Sequence, residues 1–164
     1  MTPNDNRMQS AAPESLSPVR AGLARRIGAM FYDSLLVFAV WWTVAAGVIG
    51  LRVWMSGAEE IRSHNEPAAS GLLLQVPLVV AFAVFFVWFW TRSGQTLGMQ
   101  SWRLRLETED GQLIDWRTGL ARLGLALASF LCLGAGFWWI LIDSERRAWH
   151  DRLTGTRVVL LPKP

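Results

Sequence analysis

Three stretches of the chain, residues 27–51, 68–90 and 119–142, are almost wholly apolar, and polar residues collect in the segments between them. Each stretch is long enough to cross a hydrocarbon core of about 30 Å as a helix. Elsewhere the period changes. Residues 101–107 alternate apolar and polar side chains and residues 156–161 are rich in β-branched types, so both predict strands. An isolated strand is unstable, so the two are expected to pair, with residues 113–116 as a third strand after the turn at Glu109, Asp110 and Gly111. Residues 1–19 hold Pro3, Pro13 and Pro18 among polar residues without apolar periodicity, which predicts a disordered tail and leaves 20–161 as one membrane domain. The first run lacks a small-residue cleavage site, so it reads as a permanent span and not as a removable signal.

Basic residues then set an orientation. Four Lys and Arg precede the first run, two lie in the acidic segment 52–67, four lie in 91–118 and five follow residue 142. The positive-inside rule therefore puts the amino terminus and the segment after Trp90 in the cytoplasm of a bacterial inner membrane, with the acidic segment outside. A single third crossing would leave the basic tail outside and separate the two strands. The favoured expectation is a helical hairpin, 118–133 and 136–143, broken around Gly134, Ala135 and Gly136, which returns the carboxyl terminus to the cytoplasm. One tilted span is the alternative. The fold class expected is an all-α membrane protein with two full transmembrane helices, this third apolar element, and a small cytoplasmic β element.

Composition adds little to this and removes several function classes. Residues are 52% hydrophobic and 18% charged, with ten tryptophans, most of them in or beside the apolar runs as interfacial anchors. The net charge of +3 comes from basic residues beside the runs, where anionic lipid is the partner, and no nucleic-acid motif accompanies them. The lone Cys132 excludes an internal disulfide and reads as packing. No Cys and His cluster suggests a metal, no cofactor motif is present, and no nucleophile arrangement suggests an enzyme. Glycines at 47, 50, 119 and 124 offer close helix contact, and Gly94 and Gly98 a sharp turn out of the second run.

The first run contains one carboxylate, Asp33, and a carboxylate there needs a partner, water or an ion. Arg26 shares its helical stripe but lies about 10.5 Å away along the axis, so a cation from another segment, a trapped water or a transported ion is expected to answer it. Arg122, the basic residue of the third run, either pairs with Asp33 or snorkels to the surface, and snorkelling is the expectation. Asp143 at the end of that run and His150 beside Asp151 are secondary candidates, His150 reading as a cap or ion-pair member on a surface loop.

The segment Arg26-Ile-Gly-Ala-Met-Phe-Tyr-Asp33 resembles the signature of the RDD family of bacterial membrane proteins, named for one arginine and two aspartates. Gly94-Gln-Thr-Leu-Gly98-Met and Trp149-His-Asp151-Arg-Leu-Thr-Gly155-Thr are similar to its later motifs, and the resemblance makes Asp151 the second aspartate. Thr154 stands where alanine is common in the family. The resemblance implies little about activity beyond links of some members to Na⁺ or H⁺ antiport. A carboxylate within a span can bind Na⁺ or carry H⁺. Two readings follow: small-ion or proton-coupled transport through Asp33, with Arg26 as modulator, as a homo-oligomer; or a non-transporting scaffold that assists another membrane complex.

Overall fold

The computed structural model describes residues 20–57 and 71–162. The expected tail, 1–19, and most of the acidic segment fall outside them. Helix α1, Leu23–Ser56, starts at the N-cap Gly22 and stops at Gly57, whose φ of 79° few side chains tolerate. Helix α2, Leu72–Arg92, runs back antiparallel to it, and the Trp41 indole donates to the Leu78 carbonyl at 3.0 Å where the two meet. Both are long and apolar enough to cross a membrane. At 34 residues α1 is about 51 Å long, whereas the 21 residues of α2 make about 31 Å, close to the thickness of a hydrocarbon core. The surplus of α1 is shared between its ends: with Trp41 level with Leu78 and Phe82, about two turns overrun α2 on each side. The first turns are enclosed by a cap built from segments that follow Arg92.

The cap opens at Gly94, whose φ is 72° and whose carbonyl accepts Leu106 N–H at 2.7 Å. Thr96 then caps the short α3, Leu97–Ser101, by accepting Met99 N–H at 3.2 Å. Strand β1, Leu104–Thr108, pairs antiparallel with β2, Thr156–Leu160, with Leu106 opposite Val158. Between them come α4, Trp116–Leu131; the short α5, Ala135–Trp138, continued by a 3₁₀ turn at Trp139–Leu141; and α6, Trp149–Leu153. The buried core lies at this end, around Leu104, Leu106, Ala21, Ala29, Met99 and Val158. Farther along α1 and α2, residues such as Phe38, Trp42, Trp54, Val79 and Trp88 are exposed, as lipid-facing positions require.

The strand pairing follows the sequence, but its edges do not. Residues 101–103 end α3 and make a turn, with Arg103 at φ 55°. Residues 113–116 form no strand: Asp115 accepts Thr118 N–H at 3.0 Å and starts α4 instead. The third segment on the sheet is Arg20 and Ala21, through a bridge from Arg20 to Val159 and an Ala21 N–H bond to Val158 O at 3.1 Å. The third apolar element breaks where glycine was expected to break it, but α4 and the α5 segment meet at 102°, neither a straight span nor a full reversal. Gly134 adopts φ 75° at the break, and Gly136 seats α5 on Ser129, a contact that any Cβ would obstruct. Both ends of the element lie in the cap. Cys132 ends α4 exposed, not packed.

Gly47, Gly50 and Gly124 face open space, so among the four candidates only Gly119 makes a close contact, on Val87. Gly94 does turn the chain, but Gly98 has a different task. A Cβ there would strike the Ala29 carbonyl and sit 2.8 Å from the Asp33 carboxylate. Its bareness lets α3 lie directly on α1, and Gly28 does the same for the Trp102 ring on the adjacent turn.

Candidate functional site

Arg26 and Asp33 belong to the part of α1 that the cap surrounds. Because Trp41 sits against Leu78 and Phe82, Asp33, two turns earlier, is level with the last turns of α2 and so near the edge of the span, not at its middle. Its side chain is 3% exposed. The Thr96 hydroxyl donates to Oδ2 at 2.5 Å and Gly98 N–H donates to Oδ1 at 2.9 Å. Among the described residues, no Lys or Arg from another segment bonds this carboxylate. Two neutral donors bond it instead, supplied by the Thr96-Leu97-Gly98 turn, which the sequence offered as a change of direction and as part of the second motif.

Arg26 turns to a different aspartate. Its Nη1 reaches Asp151 Oδ2 at 2.5 Å, its Nη2 donates to the Arg146 carbonyl at 3.0 Å, and its Nε to the Ala21 carbonyl at 3.4 Å. Arg122 does not snorkel. It is 5% exposed, its Nη1 lies 2.5 Å from Asp151 Oδ1, and the same nitrogen donates to Thr156 Oγ1 at 2.6 Å. Asp151 is fully buried between the two guanidiniums and also accepts Ala148 N–H at 3.0 Å, which caps α6. One carboxylate thereby ties α1, α4 and α6 together. Burial alone would raise the Asp151 pKa, but Arg122 and then Arg26 outweigh it and hold the group well below the usual carboxylate range.

His150 lies beside this triad and not on a surface loop. It is 3% exposed, stacks on Phe137 with ring centroids 4.8 Å apart, and places Nε2 3.5 Å from Asp151 Oδ1. Burial, then the positive charge of Arg122, lowers its pKa to about 3, so the ring is neutral at neutral pH. Asp143 sits apart from both centres: it accepts Arg147 N–H at 2.7 Å and pairs with Arg152 at the cap surface. No group of three or more Cys, His, Asp or Glu gathers as a metal site among the described residues.

The RDD family pattern matches residues 20–155, which spans Asp33, Asp151, the Thr96 turn and the cap up to β2. The chain belongs to the RDD family. It is also similar to the uncharacterized protein RP437 of Rickettsia prowazekii (strain Madrid E), at 25% identity over 100 residues. That match covers 61% of this chain and 56% of the relative, so the chain spans little more than half of that protein's length. No solved structure matches. In this RDD chain, the arginine and the second aspartate of the resemblance form one ion pair, and the first aspartate stands in a separate, uncharged setting. Arg122, which completes the triad, was visible in the sequence only as a lone basic residue in an apolar run, and its partner Thr156 as the last residue of the third motif.

Proposed function

We propose that this RDD chain is a non-transporting membrane scaffold, whose two aspartates fasten a basic cap to the first of two spanning helices. The observation that carries this reading is the engagement of Asp33: each of its oxygens accepts a hydrogen bond from the protein, and the side chain is buried. A carboxylate that loads and releases an ion has to exchange partners, and here that would break the bonds from Thr96 and Gly98 that hold α3 on α1 each time. Arg92 stands at the edge of the cap and the cap itself carries Arg103, Arg105, Arg117, Arg146, Arg147, Arg152 and Arg157, which favours a cytoplasmic position at a bacterial inner membrane, with both chain ends on that side. Exposed apolar faces on α1 and α2 suit lipid, a second copy, or a larger membrane complex.

Proton or Na⁺ exchange in a homo-oligomer is the second reading. It is favoured by the position of Asp33 on the wall of an open cleft that Arg26 and Arg122 also line. Proteoliposomes decide between them. With equal amounts of wild type and Asp33→Asn incorporated, a scaffold leaves an imposed pH or Na⁺ gradient to decay at the rate of empty vesicles in both samples. Dissipation by wild type that Asp33→Asn abolishes overturns the scaffold and supports exchange.

A further inference from the structure

Helices α1 and α4 each pack on α2 and leave a cleft of about 510 Å³ between them, within the range of roughly 300–1,000 Å³ typical of small-molecule pockets. Its walls are apolar: Met30 and Phe38 on α1, Phe86 on α2, Leu127 and Phe130 on α4. Phe38 and Phe130 are largely exposed, so the cleft opens sideways, toward the bilayer. From Arg26 to Trp41 it follows α1 for about 22 Å. That exceeds the depth of one leaflet, about 15 Å if half of a core of about 30 Å.

The floor is polar and incompletely used. Trp90 and Arg122 both line it and both are buried, with the guanidinium carbon 5.4 Å from the indole centroid. Asp151 and Thr156 occupy Arg122 Nη1, yet among the described residues neither Arg122 Nε nor Trp90 Nε1 has a hydrogen-bond partner. Two buried donors at the base of an apolar slot call for an acceptor oxygen attached to an apolar tail. Formal charges around the floor balance, Arg26 and Arg122 against Asp33 and Asp151, so a neutral acceptor suits it better than a free anion.

We propose that this cleft is a binding site for one acyl chain of a membrane phospholipid, with the lipid's ester carbonyl accepting from Trp90 Nε1 and Arg122 Nε. A spanning helix from a second copy fits the floor less well. Its carbonyls are committed to its own ladder, and the exposed faces of α1 and α2 are apolar, so it would cover the walls and leave both donors unmet. The site exists on either reading of the chain's function, since it depends on the cleft and its two donors and on no turnover at Asp33.

The test is photo-crosslinking of the full chain in nanodiscs of phosphatidylcholine carrying a diazirine on one acyl chain, with adducts mapped by mass spectrometry. Adducts concentrated on Met30, Phe38, Leu127 and Phe130 are expected. Filling the cleft through Ala126→Trp, at a position on its α4 wall, is expected to lower them by roughly tenfold while adducts on the outer positions Trp54 and Val79 persist; Leu127→Trp repeats the test should the first variant fail to fold. Adducts spread evenly over all exposed apolar positions in the wild type overturn the proposal. So do protein–protein crosslinks at the cleft in place of lipid adducts, which would make a second copy the occupant.

Discussion

Asp33 and Asp151 are both buried carboxylates, yet one is answered by a hydroxyl and an amide and the other by two guanidiniums. The neutral setting costs less to dismantle, because removing the charge leaves ordinary donors behind. The ionic setting is self-supporting only while complete: without its carboxylate, two buried cations face each other with nothing between them. The difference separates two tasks. Asp33 fixes how closely α3 lies on α1, whereas Asp151 decides whether α1, α4 and α6 hold together at all.

The sharpest way to break the comparison is Asp151→Asn. Truncating one member of a buried ion pair costs roughly 3–5 kcal/mol, and here both partners are cations, so the variant is expected to lose its cooperative thermal transition in detergent or to express as an unfolded chain. A transition near that of wild type would place solvent or anions within the triad and contradict its burial. Acid probes the same centre more gently. The folded-state pKa of His150, about 3, lies below the ordinary 6.5, so the unfolded chain binds the extra proton between those values and stability falls as pH drops through that window. Asp151, also depressed, adds to the loss below its ordinary 3.8. The groups facing the ring, Arg122, Asp151 and Arg26, come from three helices, so the whole junction feels the change. His150→Phe is expected to keep the stacking on Phe137 and flatten the decline between pH 6.5 and 4, a difference of about 2–4 kcal/mol in wild type; an unchanged profile would assign the acid sensitivity to the carboxylates alone.

The spans and the strand pair were legible because their periods are local properties, and the broken third element was legible from the Gly134 and Gly136 pair. The start of α4 was present too, as Asp115 three residues before Thr118, but β-propensity at Leu113 and Ile114 hid it. The partners of the charged residues were not legible. Arg26 lies on the same helical stripe as Asp33, while its actual partner is 125 residues away, brought there by the β1–β2 pairing that folds the carboxyl-terminal segment onto the start of α1. Arg122 looked like a residue that reaches for the surface because its cation-binding pocket is assembled only by α6 and β2. Charge placement was a tertiary property, and the apolar pattern was not.

Smaller changes at the neutral centre sharpen the contrast. Gly98→Ala keeps every polar group of the site and only adds a methyl, but that methyl meets the Ala29 carbonyl and the Asp33 carboxylate, so α3 has to lift off α1. Overpacking of this kind costs roughly 1–3 kcal/mol. Asp33→Asn is expected to be milder, about 1 kcal/mol, because its amide oxygen still accepts from Gly98 N–H and the loss is that of one acceptor for the buried Thr96 hydroxyl. Thermal unfolding of the two variants in the same detergent tests the order. If Asp33→Asn proves the more damaging, its negative charge is answered by something beyond Thr96 and Gly98, and the separation between a neutral and an ionic carboxylate collapses.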